Sequence, residues 1–278
     1  MRHLIKLGDF LVNTSVFTAF CALSLCVATE KLIGSSFYPL FTPLHIVVTS
    51  GTLVIYNLPR LFPVAKRSSI TLFSQRLWQY IFLALGLMGI GYSLSGLSQV
   101  SIMVGSFACI LALGYTMPAL IWQNKKRLRE YGILKIIVLT GVWTIATAII
   151  PIVAHGVNVA NYPFEITMRF VFVFILCILF DIRDIQKDVD SNIITLPTRI
   201  GIEKSYWVIN VSLLLFLVLS FIQHYQFALP GRLWASIITT FITYVVANHL
   251  RKEGNKRLFV IMTDGMMILY AALVLMYK

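Results

Sequence analysis

Long apolar stretches, separated by short polar segments, dominate the pattern of this chain. Nine of them are each near the ~20 residues that a helix needs to cross a bilayer, and they cover approximately residues 8–29, 40–58, 76–96, 98–118, 133–152, 166–181, 205–224, 231–250 and 258–277. Hydrophobic residues make up 58% of the 278 residues, and the mean hydropathy is +0.84, so a soluble core of this size could not bury the apolar surface. The pattern predicts an all-α, polytopic membrane protein with nine transmembrane helices.

The polar segments indicate how the chain is organised. No low-complexity tract or long linker separates two modules, so we predict a single transmembrane domain over residues 1–278. The longest polar segments, at 59–75, 123–132 and 181–204, all fall on one side of the predicted membrane. Because loops carry most binding and catalytic residues, we expect the function on that side.

The net charge of +12 raises the question of a polyanionic partner. If the amino terminus lies in the cytoplasm, 19 of the 23 Lys and Arg residues fall on the cytoplasmic side of the predicted spans. The positive-inside rule explains this asymmetry, so nucleic-acid binding is not expected. We predict an integral protein of the plasma or inner membrane, with the amino terminus and residues 181–190 in the cytoplasm and the carboxyl terminus outside.

Aspartates are concentrated at the end of one apolar stretch. The segment 181–190 holds four of the chain's six aspartates and directly follows the apolar run 170–180. On one continuous helix, with about 100° per residue, Asp181, Asp184 and Asp188 fall within about 60° of each other. Such carboxylates repel unless a cation or water lies between them. The segment therefore forms either a metal or proton site or a solvated acidic helix end.

The same region resembles a known family motif. The pattern R-D-x-x-x-D…T-L…G occurs in Arg183-Asp184-Ile185, Asp188, Thr195-Leu196-Pro197 and Arg199-Ile200-Gly201. It resembles the menaquinone-type second aspartate motif of the UbiA superfamily of intramembrane prenyltransferases. A second resemblance, to the Tyr…Pro…basic stretch after the fourth helix of that family, lies in Tyr115-Thr116-Met117-Pro118 and Lys125-Lys126-Arg127. Nine spans with an internal amino terminus also suit a UbiA-like helical bundle.

The resemblance implies transfer of a polyprenyl group from a diphosphate to a lipophilic or aromatic acceptor, as in quinone biosynthesis. A prenyl diphosphate reacts by losing its diphosphate, whose charge Mg²⁺ neutralises from carboxylate ligands. The resemblance makes Asp184 and Asp188 metal ligands, with Asp181 as a third carboxylate. The residues that it assigns to substrate binding are Tyr56, Tyr115, Lys125, Lys126, Arg127 and Arg183.

The first aspartate motif of the family, N-D-x-x-D-x-x-x-D, is degenerate in this chain. Its place is taken by Ile55-Tyr56-Asn57-Leu58-Pro59-Arg60-Leu61, and no aspartate lies between Asp9 and Asp181. Asn57 keeps the polar start of the motif, although an amide is a weaker Mg²⁺ ligand than a carboxylate. Arg60 either binds diphosphate in place of a metal, pairs with Asp184 or Asp188 to close a dead site, or is a positive-inside anchor.

Two further polar features leave alternatives open. On the second predicted helix a polar stripe consists of His45, Thr49, Thr52, Tyr56 and Arg60, which is typical of either a cavity wall or an interhelical hydrogen-bonding seam. Asp264 lies inside the last predicted span and is either a site residue or paired with a nearby cation. The competing functions are a catalytically silent protein that binds a prenyl lipid and, less favoured because the halves show no repeat, a small secondary transporter.

Overall fold

The computed structural model describes residues 8, 10–34, 41–61, 73–116, 132–227, 230–251 and 255–277. The helices in these ranges are α1 (Val16–Leu32), α2 (Pro43–Leu61), α3 (Phe73–Leu94), α4 (Gln99–Thr116), α5 (Ile133–Ala154), α6 (Pro163–Arg183), α7 (Ile185–Asp190), α8 (Leu196–Ile200), α9 (Ile202–Phe227), α10 (Pro230–Leu250) and α11 (Lys256–Met276). No strand occurs in the described ranges, so the all-α prediction is confirmed there.

Seven of the described helices are long and apolar enough to cross a membrane, namely α3, α4, α5, α6, α9, α10 and α11. The first two apolar stretches correspond to α1, with 17 residues, and α2, with 19. The chain is therefore an integral membrane protein of many helices, and the count of nine spans stays a prediction.

The central helix of the bundle is α6. Of the seven candidate spans it has the most buried window, 61%, and it packs against α5, α9 and α11. In contrast, the windows of α3 and α4 are only 11% and 17% buried, and most of their large apolar side chains are exposed. Those faces suit lipid, because lipid solvates apolar side chains that water would not.

Helix α5 contains a π-helical turn whose backbone is hydrogen-bonded to a side chain of α1. Residues Ile145–Ile149 form a π-helical turn just before Pro151. Proline has no N–H and cannot donate to the carbonyl four residues earlier, here that of Thr147. The hydroxyl of Thr29 on α1 donates to this carbonyl at 2.7 Å, so a side chain from another helix satisfies the backbone group.

The end of α6 differs from the expectation of one uninterrupted helix through the aspartates. Helix α6 ends at Arg183, and Asp184 has non-helical angles (φ −94°, ψ 8°) before α7 begins. The assumption of a continuous helical face is therefore wrong. The interruption changes which carboxylates meet.

Candidate functional site: an acidic cluster at the end of α6

Lys135, near the start of α5, lies between two of the aspartates. Its Nζ is 2.7 Å from Asp181 Oδ1 and 3.1 Å from Asp188 Oδ2. The side chains are only 15%, 5% and 9% exposed, respectively. A buried carboxylate pair is costly unless a cation is hydrogen-bonded to it, so Lys135 supplies the counter-charge that makes this pair possible.

Asp184 has separate partners on the same side of the bundle. Arg183 Nη2 donates to its Oδ2 at 2.6 Å, and Lys187 Nζ donates to its Oδ1 at 2.7 Å. Partial burial raises the pKa of Asp184, but the hydrogen bonds from Arg183 and Lys187 and their charges outweigh this effect and hold the pKa below its ordinary value. The three predicted carboxylates thus have three cationic partners, with Lys135 shared by two carboxylates and Asp184 bonded to two cations.

Gly132 sets the approach of α5 to this cluster. Its φ is +56°, and a Cβ added there would lie 2.0 Å from the carbonyl oxygen of Ile194. Ile194 belongs to the turn after α7, in which the amide of Ile193 donates to the carbonyl of Asp188 at 2.8 Å. Only glycine tolerates both this backbone angle and this close contact. We expect this close backbone approach to place Lys135, one turn further along α5, beside the aspartates.

The residues of the degenerate first motif lie in the last turns of α2. The Asn57 side chain is fully buried, and its Nδ2 donates to the carbonyls of Thr14 and Leu53 at 3.0 and 2.9 Å. Its Oδ1 has no hydrogen-bond partner among the residues that the structure describes. The backbone of Arg60 lies in the last turn of α2, but its side chain is outside the described part, so its roles stay predictions.

An apolar cavity of about 250 Å³ lies between α2, α3, α4 and α5. Tyr56 and Trp143 are part of its wall, and the Trp143 Nε1 donates to the Tyr56 hydroxyl at 3.1 Å. Trp143 follows Lys135 by eight residues on α5, which is about 12 Å along a helix. Helix α5 therefore connects the acidic cluster with the cavity wall.

The polar stripe on α2 combines the two predicted roles, cavity wall and interhelical hydrogen-bonding seam. Thr52 and Tyr56 line the cavity, whereas His45 bonds to Glu30 on α1. The hydroxyls of Thr49 and Thr52 donate to backbone carbonyls of their own helix. The stripe is therefore a hydrogen-bonding seam at one end and a cavity wall towards the other.

The remaining candidates have different surroundings. The guanidinium of Arg183 lies over the rings of Phe180 and Phe259, at 4.8 and 5.7 Å from their centroids. Asp264 is 6% exposed and lies within electrostatic range of Arg183. Tyr115 is half-buried in the last turn of α4. The predicted substrate-binding residues Lys125, Lys126 and Arg127 lie outside the described residues.

Sequence reasoning missed Lys135 as a partner of the aspartates. Lys135 is one of the 19 cations on the predicted cytoplasmic side, although it is the third residue of the apolar stretch 133–152. A cation inside a span usually faces a partner or a cavity, and this was the available signal. The partner itself could not be identified from spacing, because 53 residues separate Lys135 from Asp188.

The donor atoms of the cluster fit a hard divalent cation. Asp181 Oδ2 is buried and has no hydrogen-bond partner in the described part of the chain, while its Oδ1 bonds to Lys135. A buried carboxylate oxygen without a partner is costly, and oxygen is the ligand that Mg²⁺ prefers. Asp181 and Asp188, which share Lys135, therefore offer oxygen atoms that suit such an ion.

Comparisons with known proteins place the chain among intramembrane transferases. The model of the UbiA prenyltransferase family matches residues 70–270. A similar solved structure is a UbiA homologue from Archaeoglobus fulgidus bound to Cd²⁺, with 13% identity, a TM-score of 0.62 and coverage of 96% of this chain and 99% of that one. A UbiA homologue from Aeropyrum pernix K1 is also similar, with 14% identity, a TM-score of 0.61 and coverage of 92% of this chain and 97% of that one.

A third similar structure is that of a digeranylgeranylglyceryl phosphate synthase. Its identity is 16%, its TM-score is 0.55, and the match covers 99% of this chain and 98% of that one. At these identities the likeness concerns the fold. No curated protein matches this chain in sequence.

Proposed function

The chain belongs to the UbiA prenyltransferase family, and we propose that it transfers a polyprenyl group from a diphosphate to a lipophilic or aromatic acceptor, with Mg²⁺. The observation that carries this proposal is the cluster of Asp181, Asp188 and Lys135, joined along α5 to an apolar cavity. Such a site offers charge for a diphosphate at one end and an apolar wall for a prenyl chain at the other.

The proposed ligands of Mg²⁺ are Asp181, Asp184 and Asp188, with diphosphate oxygens completing the coordination shell. When bound, the ion neutralises the charge that develops on the leaving diphosphate. Asp184 can join the ligands by exchanging its contacts with Arg183 and Lys187, which then are available to the diphosphate. Lys135 remains as a fixed positive charge beside Asp181 and Asp188.

The apolar cavity has a role in the same reaction. The allylic cation that forms when diphosphate leaves reacts with water unless water is excluded. The walls next to Tyr56 and Trp143 keep that region dry, and aromatic faces stabilise a nearby cation. We propose Arg60, together with Tyr115 and the basic residues Lys125, Lys126 and Arg127, as further contacts to the diphosphate, and Asn57 as the remnant of the first motif.

The proposal includes an orientation in the membrane. We propose nine spans, with the amino terminus and the acidic cluster in the cytoplasm of a plasma or inner membrane and the carboxyl terminus outside. The distribution of Lys and Arg supports this orientation. A single cysteine placed at Lys278 in a cysteine-free background should react with an impermeant reagent only from outside, and labelling only from the cytoplasm would contradict nine spans.

The decisive experiment compares Asp188→Asn with Asp190→Asn in purified protein reconstituted in lipid. Prenyl diphosphates of increasing chain length are supplied with Mg²⁺ and an extract of membrane lipids as the acceptor source, and released diphosphate is measured. Asp188→Asn should lower the rate at least ~100-fold, since a metal contributes several kcal/mol and each 1.4 kcal/mol is a factor of ten. Asp190 is exposed and bonded to Gln186, so Asp190→Asn is the matched control.

A second candidate function is binding of a prenyl diphosphate without transfer. It is favoured by Asn57, whose amide nitrogen is held by two backbone carbonyls where the family has a carboxylate motif. In that case the protein binds prenyl diphosphate with Mg²⁺ but releases no diphosphate with any acceptor. If neither binding nor release depends on Mg²⁺ or Asp188, both functions are excluded.

A further inference from the structure

A second cluster of polar side chains lies at the other end of the bundle. The carboxylate of Glu30 contacts two histidines, with His45 Nε2 at 2.6 Å from Oε2 and His155 Nε2 at 2.7 Å from Oε1. Cys26 belongs to the same group, because one ligand atom each of Cys26, Glu30 and His45 lie within 4.8 Å of one another, while His155 contacts the other oxygen of Glu30. Cys26 is 0% exposed, Glu30 6% and His45 2%.

This histidine end, defined as Cys26, Glu30, His45 and His155, is distant from the acidic cluster. It joins the last turns of α1, the first turn of α2 and the residue after α5. The aspartates lie at the far end of α6, which has 21 residues, or about 30 Å of helix. The two groups are therefore separate sites.

Local structure brings the four side chains together and orients them. Cys26 and Glu30 are four residues apart on α1 and share one helix face. The Nδ1 of His45 contacts both the amide and the hydroxyl of Thr42, at 3.3 and 3.0 Å, which directs its Nε2 towards Glu30. The Thr42 amide donates to Nδ1 here, so binding of a metal at Nε2 requires the tautomer with its proton on Nδ1, which the Thr42 hydroxyl can accept.

The chemistry of these side chains is selective. A thiol, a carboxylate and two imidazoles are the ligands of zinc and similar transition metals, whereas Mg²⁺ and Ca²⁺ prefer oxygen ligands only. We propose that Cys26, Glu30, His45 and His155 form a binding site for Zn²⁺ or a similar divalent transition metal. With the thiolate and the carboxylate as ligands, two negative charges balance the ion, which makes burial of the site favourable.

Binding rearranges the protons in a defined way. When Nε2 of each imidazole binds the ion, the proton moves to Nδ1; at His45 the Thr42 hydroxyl then accepts it, and the Thr42 amide no longer donates to that nitrogen. Starting from neutral imidazoles, only the Cys26 thiol loses a proton to solvent, so one proton is released per ion bound. His155, whose side chain is 16% exposed, gives the ion a route from the surface. The bound ion then holds α1, α2 and the end of α5 together.

The test titrates chelator-treated protein with Zn²⁺ and separately with Co²⁺, in excess Mg²⁺ to block the acidic cluster. We expect one Zn²⁺ per chain and a thiolate-to-Co²⁺ absorption band in the near ultraviolet. Glu30→Gln, His45→Gln and His155→Gln should each weaken Zn²⁺ binding at least ~10-fold. Cys26→Ser should remove the band and weaken binding as well.

Matched controls are available in the same helices and at the same end. Cys21→Ser removes another fully buried thiol of α1, and His224→Gln removes a histidine at the end of α9. Both should leave Zn²⁺ binding and the Co²⁺ band unchanged.

Unchanged Zn²⁺ affinity in His45→Gln and Glu30→Gln, or no stoichiometric Zn²⁺ in the unaltered protein, would overturn the proposal and leave a hydrogen-bonded cluster only. If the buried variants do not fold, the partly exposed His155 decides: an unchanged affinity in His155→Gln excludes the four-ligand site.

Discussion

The two ends of the bundle bury carboxylates in different ways. At the acidic cluster, Asp181 and Asp188 share the permanent cation Lys135. At the histidine end, Glu30 bonds to two imidazoles, which are neutral or charged according to pH. Both arrangements satisfy the rule that buried charges must be paired, but the nature of the partner differs.

This difference determines what each end can bind. Permanent cations next to carboxylates form a site of mixed charge, which accepts a metal and an anion together, as a metal diphosphate requires. Imidazoles can release Nε2 protons and become ligands themselves, so the histidine end accepts a transition metal without an anion. The predictions below separate ion pairs that hold the fold from those that belong to a site.

The largest effect on stability is expected from an ion pair that belongs to neither site. The side chain of Glu165 on α6 is 5% exposed. Its Oε1 accepts hydrogen bonds from Arg232 Nη1 at 2.5 Å and from Gln223 Nε2 at 2.8 Å. Glu165→Leu leaves a largely buried guanidinium without its carboxylate, which costs about 3–5 kcal/mol. The free energy of unfolding in detergent should fall by that amount, while the Kd for a prenyl diphosphate stays the same.

The double variant Glu165→Leu/Arg232→Leu is the control for this pair. Replacing both partners by apolar residues removes the unpaired charge, so most of the lost stability should return. If the single variant unfolds like the unaltered protein, Glu165 does not contribute to the fold in the way its contacts indicate.

A smaller but ligand-dependent effect is expected for Lys135→Met. Without the ammonium group, Asp181 and Asp188 face each other unpaired, and we expect a loss of about 3 kcal/mol in the presence of chelator. Mg²⁺ with a non-reactive diphosphate analogue should restore more stability to this variant than to the unaltered protein, because the metal supplies the missing charge. The measurement is the melting temperature with and without these ligands.

Lys187→Met is the matched control for Lys135→Met. The Lys187 side chain is 57% exposed, and its pair with Asp184 spans only one helical turn. Exposed pairs of this kind contribute less than about 1 kcal/mol. Equal effects of the two substitutions would mean that the acidic cluster does not depend on a buried cation.

The apolar pattern of the sequence predicted the helices well because membrane helices are set by local composition. Each apolar stretch corresponds to a described helix, although α1 and α2 lie outside the seven candidate spans. The interruption at Asp184 was not predictable in the same way. No proline or glycine lies at this position, and the backbone of Asp184 adopts non-helical angles between the two helical segments.

The partners of the charged residues could not be predicted, because they come from distant parts of the chain. Asp188 was a candidate from its motif, but its partner Lys135 comes from another helix. Arg169 lies in the predicted apolar stretch 166–181, where it is 3% exposed and donates to the carbonyl of Leu25 and the hydroxyl of Thr29. Sequence spacing on one helix contains no information about such contacts between helices.

A backbone substitution tests how the acidic cluster is positioned. Gly132→Ala places a Cβ against the carbonyl of Ile194 at an angle that disfavours alanine, which should cost about 1–3 kcal/mol. It should also weaken Mg²⁺-dependent binding of a prenyl diphosphate, since it displaces the start of α5 and Lys135 with it. Gly141→Ala, on the same helix with nothing within 4 Å of the added Cβ, is the control and should be neutral or slightly stabilising. Intact binding in a stable Gly132→Ala protein would contradict the role of this contact.

The smallest effect concerns pH and the half-buried carboxylate of Asp184. Its pKa in the folded protein is lower than in the unfolded chain, where it is about 3.9, because Arg183 and Lys187 stabilise the ionised form. The stability from these pairs is therefore fully present above the unfolded pKa and is lost as the pH falls through the folded pKa.

At neutral pH, Asp184→Asn should lower the free energy of unfolding by less than about 1 kcal/mol, since water screens both pairs. In melts at decreasing pH, the difference between the two proteins should shrink below about pH 4, as the native carboxylate also becomes neutral. A difference that grows on acidification would mean that burial, and not the adjacent cations, controls Asp184.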